Sequence, residues 1–361
     1  VRILFVLEHF HPYIGGAENL FWELGRSLVL QGHSVGVVTT RFRKDLPIRE
    51  IVSGITIYRV SCYNRFFFSF LSLRQILKVL PDYEIIQTTS YNAALPAWIA
   101  GFLHEKPVVI TFHEVWGRLW WKLPFISLPL RVGFFLWEQM VLRLPYAKVV
   151  AVSDATRQSL IKSGLRPDNV ELIYNGLDYS EFEGLDWEPP TQFTYTYFGR
   201  LGTSKGLELL MPAAAKFALT HPDSRFKLII PKYPVAIYDW VITKIKQWHM
   251  EDHVILLHDL SRKALFSEVR TSSCVVIPSH SEGFCFVAAE VVALQVPIIS
   301  SQRTALKEVA GGKLIEIGDL DENGVYKGLV EAYNQQWEEI TPIQFALSAS
   351  VAQYVRLFQS L

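Results

Sequence analysis

Two rhythms of apolar and polar positions alternate along the chain. Short apolar runs, RILFVL, SVGVVTT, EIIQTT, PVVITF and KVVAVS, are separated by longer stretches in which apolar residues recur every third or fourth position. Runs of four to eight apolar residues bounded by turn formers read as buried strands, and a period near 3.6 reads as helix. In AENLFWELGRSLVLQG, for instance, Leu20, Leu24 and Leu28 form one stripe that stops near Gly32. Strands that are apolar on both faces and alternate with helices predict a parallel sheet covered on each side. The rhythm lapses in IYNGLDYSEFEGLDWEPPTQF, where Gly, Asp, Glu and a Pro-Pro pair accumulate, and restarts with FTYTYFGR, FKLIIP, HVILLHDLS, CVVIP and PIISS. The expected organisation is α/β, with one domain over residues 1–178 and a second over 179–341. A final helical stretch over 342–361 has an apolar face whose packing partner the periodicity does not identify.

Length agrees with two cores, since 361 residues exceed the roughly 250–300 at which single cores stop growing. With 50% hydrophobic and 19% charged residues the chain is too apolar for disorder. The 35 basic residues match the 35 acidic ones, which argues against general nucleic-acid binding. The balance is uneven: between Arg41 and Arg166 there are seventeen basic residues against eight acidic ones, so the first half is suited to an anionic surface. Cys62, Cys274 and Cys285 show neither pairing nor metal spacing, and a reducing, cytoplasmic setting is expected. The opening VRILFVLEHFHPY reads as a buried strand, because its apolar run is shorter than a signal-peptide core. No run reaches the roughly 18 apolar residues that span a bilayer.

In open parallel sheets, ligands bind beyond the carboxyl ends of strands, where helix starts present unpaired N–H groups. Several segments have that position. HPYIGGAE follows the first strand, and Gly15-Gly16 lets a ligand oxygen approach the backbone, although an ordinary tight turn explains the pair equally well. YFGRLGTSKG sets Arg200 and Lys205 on a glycine-containing loop, a pair of cations suited to a diphosphate and also compatible with a solvated basic turn. In EGFCFVAAE, Glu282 lies in a loop and Glu290 is expected about two turns into a helix, roughly 10 Å away. That span matches the two ends of a nucleotide-sugar, with the backbone N–H groups from Gly283 to Val287 between them. A capping Glu282 and a solvated Glu290 are the plainer alternative. His113, in TFHE, ends another strand on the same predicted edge.

Taken together, HPYIGGAE, TFHE, VSDATR, IYNGLD, YFGRLGTSKG and PSHSEGFCFVAAEVVALQVPIISS resemble, in order and over nearly the whole chain, the retaining nucleotide-sugar glycosyltransferases of GT-B fold, family 4. The resemblance implies two Rossmann-like domains facing across a cleft, the first binding acceptor and the second donor. It implies that Arg200 and Lys205 hold the donor diphosphate, Glu282 the hydroxyls of the transferred sugar and Glu290 the nucleotide ribose. Gly15, Gly16, Gly199, Gly283, Phe284, Cys285, Phe286 and Val287 would border the donor, and His113 would contact the sugar near the reacting centre. No metal or cofactor is implied beyond the nucleotide-sugar substrate. The last helix, 342–361, is placed on the first domain by the same analogy. Four departures concern glycines: Cys285, His258 and Gln295 stand where the family commonly has one, and IIPKYP lacks a usual glycine pair. They leave donor identity open, together with a catalytically degenerate binding protein or a phosphorylase or epimerase of the same fold.

On the acceptor side, RFFFSFLSLRQILKVL and WGRLWWKLPFISLPLRVGFFLWEQMVLRLPYAK mix aromatic residues with Arg and Lys, as interfacial anchors do. They are expected either to pack as ordinary amphipathic helices or to rest on the inner face of an anionic membrane, with Trp120-Trp121 as contact and a lipid-linked glycan as acceptor. Two metal readings compete weakly: His9-x-His11 at a strand end, and Asp319-Leu-Asp321.

Overall fold

The computed structural model describes every residue except Ile14, Tyr63 and Asn64, and Arg65 along its backbone alone. Ile14 of HPYIGGAE and the Arg65 side chain of the aromatic stretch therefore lie outside the described residues. The chain forms two compact units: Val1–Trp120 with Pro129–Gly176 and Phe345–Leu361, and Trp121–Leu128 with Leu177–Gln344. Residues 121–128, which the sequence pattern keeps in the first domain, thus group with the second unit. There the Phe125 ring sits edge-on to Trp240 at 5.5 Å.

The first unit holds strands β1 (Arg2–Val6), β2 (Ser34–Thr40), β3 (Arg49–Val52), β4 (Ile55–Val60), β5 (Ile85–Thr89), β6 (Val108–Phe112), β7 (Lys148–Ala151) and β8 (Val170–Leu172). They lie in the order β3-β4-β2-β1-β5-β6-β7-β8. All pairs are parallel except the β3–β4 hairpin. Helices α1 (Gly16–Leu30), α2 (Phe68–Val79), α3 (Ala94–Leu103), α4 (Leu128–Arg143) and α5 (Asp154–Lys162) fill the crossovers. All three residues of the stripe Leu20, Leu24 and Leu28 are buried, the last two in one cluster with Ile3, Phe5 and Val37 of the sheet. The interior of β1 is apolar on both faces because one side packs with α1 and the other with α2 and α3.

The second unit repeats the scheme with β9 (Thr194–Phe198), β10 (Arg225–Ile229), β11 (Val254–Leu257), β12 (Cys274–Ile277), β13 (Ile298–Ser300), β14 (Gly312–Glu316) and β15 (Glu338–Ile340), ordered β11-β10-β9-β12-β13-β14-β15. Only the β14–β15 edge pair is antiparallel. Its helices are α6 (Leu207–Thr220), α7 (Val235–Gln247), α8 (Arg262–Arg270), α9 (Phe286–Ala293), α10 (Leu306–Val309) and α11 (Glu322–Tyr333). Each unit is a mainly parallel sheet clothed by helices, as the alternating apolar rhythm predicts.

The final helix, α12 (Leu347–Gln359), belongs to the first unit. Val351, Tyr354, Leu357 and Phe358 enter the cluster of Ile3, Phe5, Phe21 and Val109, and the Tyr354 hydroxyl meets Thr111 Oγ1 at 2.9 Å. Gly176 makes room for this return, since a Cβ there would lie 2.3 Å from Leu347 Cα. Among the described residues no helix is long and apolar enough to cross a membrane.

Candidate functional site

Sheet order locates the site. In the second unit β9 is followed in sequence by β10 on one side, while β12 lies on its other side, so β9 and β12 flank the point where the winding reverses. Loops leaving the carboxyl ends of two such strands diverge and leave a crevice between them. Here these loops are Gly199–Gly206 and Pro278–Cys285, which brings together residues nearly eighty positions apart.

The loops are joined by charge. Lys205 Nζ donates to both oxygens of Glu282, at 2.7 and 2.8 Å, and Ser279 Oγ donates to Glu282 Oε1 at 2.7 Å. The Glu282 side chain is 8% exposed, and its position is fixed further by Thr304, whose hydroxyl accepts from the Glu282 N–H and donates to its carbonyl. Backbone contact reinforces the bridge: the His280 N–H donates to Ser204 O at 2.7 Å. The His280 ring also meets the Glu208 carboxylate on α6, a pairing that no sequence pattern announces. Gly206 is indispensable to this junction. It sits at φ 70°, and a Cβ would fall 2.0 Å from Pro278 O. Gly199 is likewise in a glycine-favouring conformation, φ 130°. Arg200 is exposed on the same loop, and its guanidinium has no ion-pair partner among the described residues.

Helix α9 begins only at Phe286. Glu290 is therefore one turn into it and not two, because Gly283, Phe284 and Cys285 continue the loop. The first amides of the helix, those of Phe286 and Val287, have no acceptor within it. Glu290 is buried, and desolvation pushes its carboxyl up to about 7, against the pull of the Arg262 guanidinium. The plainer alternative of a solvated Glu290 does not hold. Arg262 Nη1 donates to Glu290 Oε1 at 3.0 Å, and the same guanidinium grips Glu181 through Nε at 2.7 Å and Nη2 at 2.6 Å. Sequence reasoning misses Arg262 and Glu181, because nothing in SRKALFSEV or YSEFEG distinguishes them from surface charges.

The glycine departures acquire a physical meaning. Cys285 has φ 70° and Gln295 φ 58°, so both occupy the left-handed region in which glycine carries no steric cost. The Cys285 thiol is buried and pushed well up, first by desolvation and then by Glu282, which makes it an inert filler. His258 follows another logic: its Nδ1 lies 2.6 Å from Ile230 O and its Nε2 3.3 Å from Tyr238 Oη, tying together the loops after β10 and β11.

In the first unit, His113 follows β6 and stands edge-on to Phe21 of α1 at 6.2 Å. Its loop is pinned by Glu138, a buried carboxylate on α4 that accepts from the Trp116 and Gly117 N–H groups at 2.9 and 2.7 Å. Gly16 opens α1, and Gly15 is extended at φ −174°. What approaches Gly15 is the chain's own Glu18, whose Oε2 would lie 2.2 Å from a Cβ. That oxygen is the far end of a flexible side chain and can shift, so neither space nor backbone conformation requires glycine there. His9 and His11 part company: His9 stacks on Tyr13 and His11 on Trp22, each with 4.1 Å between ring centroids. Among the described residues no cluster of three or more His, Cys, Asp or Glu side chains has metal-binding geometry. Trp120 is 5% exposed and packs on Trp116 and Phe134, so of the Trp120-Trp121 pair only Trp121 reaches the surface.

Residues 14–181 match the family model described as Glycosyltransferase Family 4, and residues 186–314 the one described as Glycosyl transferases group 1. The chain is 22% identical over 331 residues to the phosphatidylinositol N-acetylglucosaminyltransferase GPI3 subunit of Saccharomyces cerevisiae, covering 85% of this chain and 69% of that protein. It is 26% identical over 329 residues to the GDP-mannose:cellobiosyl-diphosphopolyprenol alpha-mannosyltransferase of Xanthomonas campestris, covering 83% and 78%. The crystal structure of Anabaena HepE in complex with UDP-glucose superposes over all of both chains with a TM-score of 0.72 at 15% identity, a likeness of fold.

Proposed function

Because this chain belongs to the GT-B glycosyltransferases of family 4 and group 1, we propose that it moves a sugar from a nucleotide diphosphate sugar to a glycan or lipid-linked glycan acceptor, with retention at the anomeric carbon and without a metal. The observation that carries this reading is the junction at the switch point of the second sheet. Lys205, Glu282 and the start of α9 meet there, beside an Arg200 that is free to engage a ligand. Cations and helix-start amides suit a diphosphate, and flanking carboxylates suit hydroxyls.

Arg200 and Lys205 hold the diphosphate, Glu282 the hydroxyls of the transferred sugar, and Glu290 those of the ribose. In the reaction the bond from the anomeric carbon to the phosphate oxygen breaks, and the acceptor oxygen bonds to that carbon from the same face. The acceptor's proton passes to the departing phosphate oxygen. Negative charge on the diphosphate grows along this path, so a fixed guanidinium stabilises the transition state more than the bound donor.

Uridine, guanosine and adenosine diphosphate sugars, offered to the purified protein with and without a soluble glycan, give the direct test. One of them should release its nucleoside diphosphate, and NMR of the product should show the donor's anomeric configuration. In R200A, kcat should fall about 100-fold with a much smaller change in donor affinity. Equal loss in both quantities, or none, removes Arg200 from the catalytic role. Binding with neither release nor transfer would favour a degenerate binding protein.

The acceptor class rests on two supports. The Xanthomonas relative is named for a polyprenol-linked acceptor. In this chain Phe66, Phe67, Phe70 and Leu71 are 48–69% exposed beside the exposed Arg74 and Lys78 of α2, and Phe66 stacks on Phe134 of α4, which itself exposes Leu130 and Leu136. An exposed apolar surface with basic neighbours suits an anionic lipid surface. The protein would act there as a cytoplasmic, peripherally bound enzyme.

A further inference from the structure

Arg262 lies outside the set of residues that the family resemblance assigned, yet it is the one group that hydrogen-bonds the Glu290 carboxylate among the described residues. Resting on the reading of Glu290 as the ribose ligand, we propose that Arg262 is a positioning residue for nucleotide recognition: anchored by Glu181, it fixes the Glu290 carboxylate so that the ribose hydroxyls meet an oriented, ionised acceptor.

The geometry supplies the reason. A guanidinium is planar and directs its N–H groups along fixed vectors. On one edge, Nε and Nη2 converge on Glu181 Oε2 at 2.7 and 2.6 Å, and this leaves Nη1 aimed at Glu290 Oε1 at 3.0 Å. The plane is braced from below by Phe266, one turn along α8, with the guanidinium carbon 4.9 Å from the ring centroid. The turn carrying Glu181, Tyr179–Phe182, is itself held to α8 by Phe182, whose ring lies 4.7 Å from that of Phe266. Glu181 and Arg262 therefore sit on segments locked to each other, and the lock leads to Glu290.

One oxygen of Glu290 is taken by Arg262, and the other, Oε2, has no hydrogen-bond partner among the described residues. With the side chain 8% exposed, an oxygen in that condition is suited to a ligand hydroxyl. Charge acts in the same direction. The titratable groups facing Glu290 are Arg262 on α8, Glu181 on the turn and Cys285 at the end of the preceding loop. Only Arg262 favours the ionised carboxylate, against desolvation and Glu181. A lysine would keep the charge and lose the fork that grips both carboxylates.

The test is titration calorimetry with uridine, guanosine and adenosine diphosphates, followed by the 2′,3′-dideoxy counterpart of whichever binds, at pH 6, 7 and 8. The intact protein should prefer the ribose form at least about tenfold, as expected for hydrogen bonds to a charged group, and more so at pH 8 than at pH 6. R262M should cut that preference to within about threefold at pH 7 and move its pH dependence upward by about one unit or more, while binding of the dideoxy probe stays nearly constant. R262K should restore part of the pH dependence and little of the preference. A thermal melt of each variant identifies those that are folded, and R262K serves if R262M is not. If E290A keeps the ribose preference, or no nucleotide binds the intact protein, the assignment of Glu290 in the proposed function fails. If E290A abolishes the preference and R262M retains it with an unmoved pH profile, the assignment of Arg262 fails alone.

Discussion

Glu282 and Glu290 stand eight positions apart behind one strand, and the fold gives them different surroundings. Glu282 is met by an ammonium, a serine hydroxyl and a threonine clamp, whereas Glu290 has a single guanidinium to set against near-complete burial. The folded Glu290 carboxyl lies near 7, above its ordinary value of 4.5. Between those values the folded chain binds more protons than the unfolded one, so this group lowers stability as pH rises from 4.5 to 7. E290Q should remove that slope. Its melting temperature should change less between pH 5 and pH 7.5 than that of the intact protein, by the equivalent of about 1–3 kcal/mol, and an unchanged difference would show that Glu290 is not the source. Residue type and order single out both carboxylates as candidates. What they lack is Arg262, since a partner fixed by packing leaves no periodic trace.

At the scale of elements, the sheet edge works because two loops are held at a fixed distance. Gly206 is the hinge pin of that arrangement, with its left-handed backbone and its contact with Pro278 O. G206A should destabilise the protein by about 2 kcal/mol or more, combining a left-handed penalty with a clash, and should weaken nucleotide binding through the adjacent Lys205. G202A is the control. Gly202 has no positive φ and a Cβ there would make only a 3.4 Å contact with Lys205 Cγ, so its unfolding midpoint should hardly move. A denaturant titration of both variants decides the matter, and equal midpoints would refute the role given to Gly206. The strongly apolar strands and the stripe of α1 are visible in the sequence. The β3–β4 hairpin is not, because burial alternates along both strands, exposed with partial in β3 and buried with partial in β4, and leaves no strong apolar run. The start of α9 is misplaced for a related reason: Cys285 resembles a core residue in sequence, and only its backbone angle reveals a loop.

For the whole molecule, the question is what surface the protein works on. Phe70 and Leu136, 69% and 60% exposed, belong to the aromatic and aliphatic surface of the first unit and take no part in the candidate site. If that surface rests on lipid, the intact protein should co-float with vesicles containing anionic phospholipid and much less with neutral ones. The F70S/L136S variant should lose about tenfold or more of that binding, from the transfer free energy of two large side chains. Binding that ignores both lipid charge and the two substitutions would defeat the membrane reading. By itself the sequence determined the α/β class and the strands whose ends carry the candidate loops, because burial on both faces of a sheet imposes local apolar patterns. Tertiary structure alone decided that Lys205 meets Glu282, that Glu181 and Arg262 reach Glu290, and that Tyr354 returns to Thr111. Each of these contacts joins residues 28 to 243 positions apart, at places fixed by strand order and packing, neither of which local patterning encodes.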